Sequence, residues 1–314
     1  MCLSALNYSR DYLAEGDPLM KKILFTTAII MVLAGIALTI SSQGATPGNG
    51  DEYRKLELPR GYQIGDVAVG DVTGDGIFDA VFLIGEKYAP DSYYLKGHRI
   101  VLIDGASLAE TTLSLGADSG GYEGELTLGK VSTTKAQDIL VGLPTGGSGG
   151  ITNYYLISCA EGKPMVLAGP DVLTEGLHFQ VSLMDDFTVK VNSDELDETY
   201  LLDLKRLPSF EDTLSEVYKD IYSVSGKLLE PQEGFVDPSG MIELRDIDGD
   251  GISELIGYHS IWVVYHANSI GMARPSWKWI DNELKLISLD VSLRYSLDDD
   301  ARELDNIKAN LDTP

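Results

Sequence analysis

"GDVTGDGIFD", residues 70–79, places three carboxylates and three glycines in ten positions, and "RDIDGDGISE", residues 245–254, repeats the arrangement. Like charges crowded into a tight turn repel one another unless a cation holds them. A hard cation such as Ca²⁺ takes about six to eight oxygen ligands. One loop can supply most of them when alternate side chains converge and a glycine permits the sharp bend. In the first loop the ligand set read this way is Asp71, Thr73, Asp75, the carbonyl of Ile77, and Asp79. In the last loop it is Asp246, Asp248, Asp250, the carbonyl of Ile252, and Glu254. Gly76 and Gly251 fall at the sixth position, where a positive φ costs glycine least. With four carboxylates against three, the last loop is expected to hold calcium more tightly.

Working outward, two further stretches align with these loops without gaps. "DVTGDGIFD" begins at Asp71, "KVSTTKAQD" at Lys130, "KVNSDELDE" at Lys190 and "DIDGDGISE" at Asp246. Each ends in a carboxylate, Asp79, Asp138, Glu198 or Glu254, and an apolar run follows each one. The surrounding chain is a series of short runs rich in β-branched and aromatic residues, separated by Gly, Asn and Asp turns. A period of about sixty residues with a strand–loop–strand signature implies a radial or stacked β architecture. We therefore expect an all-β, propeller-like domain over 60–295 with four repeat units, or five if 203–240 carries another. One helix is expected at 209–221, where Phe210, Leu214, Val217 and Ile221 share a face and Ser209 is the N-cap.

An EF-hand opens similarly but needs Glu at position twelve, where this chain has Phe82 and Gly257. The nine-residue form resembles the calcium loops of FG-GAP and VCBS-type repeats, found in integrin α-subunit propellers and in exported Gram-positive proteins. The resemblance implies a propeller whose loops join two strands of a blade and are rigidified by Ca²⁺. Lys130 and Lys190 replace the first ligand, so the middle loops are expected to be empty, with ammonium groups standing in for the metal charge.

Composition sets the partners. Formal charge is −25 over 314 residues, and the acidic and basic groups of residues 1–45 cancel, so the surplus belongs to residues 46–314. Such a surface repels phosphate backbones, and no nucleic-acid partner is expected. Residues 20–45 carry Lys21 and Lys22 ahead of an uncharged run from Ile23 to Ile40, the layout of a secretory signal or an uncleaved anchor. No cysteine closes that run, so a lipobox is excluded. Residues 1–19 look unlike an export leader, and Met20 offers an alternative start. Residues 46–59 read as a linker and 296–314 as an acidic tail. A secreted or cell-surface location is expected, with membrane contact only through the N-terminal segment.

The remaining candidates read blandly. Cys159 lacks an adjoining base and is expected to be a small buried residue. "PTGGSGG" at 144–150 lacks a following Gly-Lys-Ser/Thr and reads as a hairpin loop. His259 and His266 are seven apart and are expected on opposite strand faces. In "WKW", Trp277 and Trp279 share a face, suited to packing or to a sugar ring. The resulting expectation is a calcium-binding module of the cell envelope that engages a glycan, wall polymer or protein. Two alternatives stand beside it: a carbohydrate-active hydrolase or lyase, and a purely structural surface or spore-associated protein.

Overall fold

The structure, a computed structural model, describes Leu56, residues 58–208 and residues 210–294. The export segment, the upstream stretch, most of the linker, Ser209 and the acidic tail lie outside the described residues. Among the described residues no helix is long and apolar enough to cross a membrane. The fold is all-β and has three sheets.

The first sheet is a meander of β1 (Tyr62–Gly70), β2 (Asp79–Lys87), β3 (Tyr94–Ile103) and β4 (Glu110–Ser114), with β5 (Gly120–Tyr122) added to β3. The second repeats the meander with β6 (Glu125–Gly129), β7 (Asp138–Pro144), β8 (Thr152–Ser158) and β9 (Met165–Ala168). A single helical turn, α1 (Pro170–Leu173), then leads into the third sheet. That sheet contains β10 (Phe179–Met184), β11 (Thr188–Ser193), β12 (Glu198–Asp203), β13 (Glu233–Val236), β14 (Met241–Arg245), β15 (Glu254–Val263), β16 (Ser269–Ile280) and β17 (Glu283–Leu293). Its order is β12-β11-β10-β13-β15-β16-β17, with β14 also paired to β15. Its two edges approach each other: Tyr200 Oη on β12 donates to the carbonyl of Leu289 on β17 at 3.1 Å. The sheet therefore nearly closes into a barrel.

Burial explains the run "DILVGL". A strand with one wet face alternates, but β7 is covered on both sides and is apolar after Asp138. Ile139, Val141 and Leu143 meet Val81, Leu83, Ile100 and Leu102 of the first sheet. Leu140, with Tyr154 and Leu156 of β8, meets Ile242, Leu255 and Trp277 of the third. Each fully buried aliphatic side chain contributes about 1.5–3 kcal/mol of transfer free energy, so the second sheet ties the other two together. A separate core fills the barrel, where Val181, Val189, Val191 and Leu202 pack with Ile261, Val263 and Ile270.

Three of the four aligned stretches occupy equivalent places. Gly70 pairs with Asp79, Gly129 with Asp138 and Arg245 with Glu254, so each loop is framed by the same antiparallel register. Neighbouring units are joined in the same way too. The N–H of Gln137 donates to the carbonyl of Asp71 at 2.8 Å, and that of Ser253 to the carbonyl of Lys130 at 2.6 Å. A Cβ on Gly70 would lie 2.7 Å from Leu128 Cδ1, and one on Gly129 would lie 2.7 Å from Leu244 Cδ1. Glycine there lets the next unit approach.

The third stretch departs from the pattern. Lys190 lies within β11, whose partner β12 comes after a short turn, and Glu198 opens β12 on the surface. The 179–203 region thus builds three of the eight strands of the barrel sheet instead of a separate blade. Among the described residues, 203–240 forms no additional sheet, and its one strand, β13, joins the third. The expected helix appears as one α turn, α2 (Phe210–Thr213), continued by a π turn over Leu214–Tyr218. It places Phe210, Tyr218 and Ile221 against the barrel core, with Leu214 and Val217 packed beside them.

Candidate cation-binding loops

The first and last loops share one backbone frame. Asp71 accepts from the N–H groups of Gly74 and Gly76 at 2.7 and 3.0 Å. Asp246 accepts from Gly249 and Gly251 at the same two distances. Asp75 and Asp250 each accept from the isoleucine two residues on, Ile77 and Ile252, at 2.8 Å. Gly76 has φ +86° and Gly251 +85°, as their position requires, and an added Cβ would meet nothing within 4 Å at either. Backbone conformation, not space, demands glycine there.

The closing carboxylate is buried in all three equivalent units: Asp79, Asp138 and Glu254 are at most 1% exposed. Asp79 Oδ2 accepts from the N–H groups of Val72 and Thr73 at 2.9 and 3.0 Å, and Oδ1 accepts from Gly105 at 2.9 Å. Burial raises its carboxyl above the ordinary value, and these N–H groups pull it back. Asp138 accepts from Val131 and Ser132 N–H and from the Ser132 hydroxyl. Glu254 accepts from Ile247 N–H at 2.8 Å. The carboxylate therefore staples each loop to its own strand before any ion is considered.

Beyond this frame the loops diverge. In the last loop Lys278 Nζ, from β16, lies 2.6 Å from Asp248, 2.7 Å from Asp250 and 2.8 Å from Glu254 Oε1. The Glu254 contact is an ion pair rather than an aligned hydrogen bond. These bonds hold the Lys278 ammonium well above the ordinary lysine value, and Lys278 in turn draws the Asp250 carboxyl below its own. Oxygens of Asp246, Asp248 and Glu254 lie within 4.8 Å of one another, the one such acidic group among the described residues. Asp71, Asp75 and Asp79 form no comparably close group, and among the described residues no lysine or arginine pairs with them. Thr73 Oγ1, at the third position, is buried beside the Asp79 carboxylate and makes no well-aligned hydrogen bond.

Register explains the difference. Ala80 pairs with Ile103, Ile139 with Ile157, and Leu255 with Trp277. One residue beyond, the position opposite the closing carboxylate is Asp104 in the first unit, Ser158 in the second and Lys278 in the last. The expected stand-ins do not serve: among the described residues Lys130 and Lys190 make no ion pair.

Donor chemistry fits a hard cation. All assigned side-chain ligands are oxygens, and carboxylate oxygens keep lone pairs after accepting one N–H. The Thr73 hydroxyl supplies a further acceptor in the first loop.

The other candidate residues fall outside these loops. Cys159 is buried, its thiol pushed up to about 12 chiefly by burial, and is inert. His259 and His266 meet at one residue, contrary to expectation, because β15 ends at Val263 and the chain turns. His259 Nδ1 is 3.0 Å from the Asp237 carbonyl, and His266 Nε2 is 2.9 Å from its Oδ2. Trp277 is core and Trp279 partly so. Trp279 also lines a cleft of about 680 Å³ with Thr73, Ser132, Lys135 and Met165, where Glu161 is the one acidic lining residue.

A family model for the YybI C-terminal domain matches residues 177–292, the span of the third sheet. The uncharacterized protein YybI of Bacillus subtilis (strain 168) is 34% identical over 210 residues, which is 67% of this chain and 77% of that protein.

Proposed function

The chain belongs to the YybI family, and from that premise and its loop geometry we propose that it is an exported calcium-binding β-repeat protein serving as a binding or structural module of the cell envelope. One observation carries the reading. The last loop seats a cation, an ammonium, among its carboxylates, and the first loop has the same backbone frame with no lysine or arginine paired to it among the described residues. Asp71, Thr73, Asp75, the Ile77 carbonyl and Asp79 would hold Ca²⁺ in the first loop. The ion would neutralise the turn and stiffen the junction with the second sheet. Affinity of about 10⁻⁴–10⁻³ M suffices outside a cell. The repeated register of three units supports a propeller-like stack.

A non-enzymatic role is favoured over a glycosidase because the cleft presents a single carboxylate, Glu161. Glycoside hydrolysis ordinarily uses a pair. The partner we propose is a glycan, wall polymer or protein, bound outside the loops.

The test is thermal melting of the full chain in EDTA, in millimolar calcium and in millimolar magnesium. Calcium should raise the melting temperature by mass action. Asp75→Asn should abolish most of the rise, and magnesium should give little. A melting temperature indifferent to calcium would refute the proposal.

A further inference from the structure

We propose that Lys278 is a built-in cation of the last loop, and that calcium enters that loop only by displacing it. The ammonium lies 2.6–2.8 Å from oxygens of Asp248, Asp250 and Glu254. Ca²⁺ bonds to oxygens at about 2.3–2.6 Å, so both cations compete for the same oxygens and the same space. Two positive charges cannot share that centre without strong repulsion.

Lys278 is aimed there by the sheet. On β16 it stands between Trp277 and Trp279, which turn toward the core shared with the second sheet. Alternation then directs Lys278 to the opposite face. The Leu255–Trp277 pairing puts it across from Glu254. Its side chain is only 17% exposed, so the stem is packed and the ammonium is held where it is needed.

The equivalent position in the first unit is Asp104, which accepts from the N–H groups of Ala106 and Ser107 in its own turn, so no positive charge faces the first loop from there. The two loops therefore meet their need for positive charge in opposite ways. One depends on dissolved calcium, and the other keeps its shape without it. A single ammonium offsets one of the last loop's four carboxylates, so calcium still enters at high concentration. The order of affinity is the reverse of what counting carboxylates gives. The competition half of this inference rests on the proposed calcium reading; the charge-balancing half does not.

Calorimetric calcium titration and melting in EDTA, on the full chain, separate the two. Lys278→Met keeps the aliphatic stem and removes the charge. The wild type should bind one calcium, lost in Asp75→Asn. Lys278→Met should bind a second, with affinity for the last loop raised at least about tenfold, a factor set by competition alone. In EDTA it should melt several degrees below the wild type, and calcium should restore it. If that variant does not fold, adding Asp248→Asn and Asp250→Asn should recover folding by removing the repulsion. A Lys278→Met chain that gains no calcium equivalent and melts like the wild type in EDTA would overturn the inference, as would failure of the added substitutions to rescue an unfolded variant. If the wild type binds no calcium while Lys278→Met is weakened in EDTA and restored by calcium, the first-loop reading fails and the role of Lys278 stands.

Discussion

The loops at 71–79 and 246–254 share nine-residue spacing, hydrogen bonds and glycine conformations, yet they stand in opposite electrostatic settings. What separates them is a residue outside both motifs, on the strand across from the closing carboxylate. A loop motif specifies where oxygens can gather. The neighbouring strand decides whether a lysine of the protein reaches those oxygens.

Removing the closing carboxylate should separate the two loops most strongly. Asp79→Ala leaves three N–H groups near the core without an acceptor, at a cost of about 3–5 kcal/mol. Glu254→Ala strands one such N–H and leaves Lys278 with Asp248 and Asp250, so about 1–3 kcal/mol is expected. Urea unfolding checks the ranking, and equal losses would show that the closing carboxylates do the same work in both loops.

Next in size is the contact between units. Gly70→Ala and Gly129→Ala both force a methyl against a leucine of the following unit, and each should cost about 1–3 kcal/mol. The loss at Gly70 should be the larger, because its methyl would also press closely on Gln137 Oε1. A neutral outcome at either position would show that close approach is not what demands glycine there.

The smallest expected effect comes from pH and samples both regions. His98 in the first sheet and His259 in the third are buried, and burial lowers both imidazoles below the ordinary value. The unfolded chain then takes up more protons below about pH 6.5. Stability is intact above that pH, falls as acid is added at up to about 1.4 kcal/mol per unit for each histidine, and levels off below the folded values. Urea curves at pH 7.5 and 5.5 in EDTA test this, and a flat response would show that neither ring is protected.

The backbone frame of the two loops was legible in the sequence, because glycine at the sixth position and carboxylates at alternate places are local demands. The all-β class was legible as well. The third repeat misled because "KVNSDELDE" fits the spacing while its lysine lies inside a paired strand. A gapless alignment does not reveal where a hairpin turns. Lys278 escaped because its meaning depends on a cross-strand register 24 positions from Glu254, and in "WKW" the two tryptophans draw the eye. A lone lysine between core-facing aromatics, in a chain of −25, is the signal that could have found it.

Anomalous diffraction from crystals of the full chain grown in millimolar calcium would locate the ion itself. The expected result is a calcium peak bounded by Asp71, Thr73, Asp75 and Asp79, with the Lys278 ammonium still seated among Asp248, Asp250 and Glu254. A peak in the last loop with Lys278 swung out and the first loop bare would contradict it.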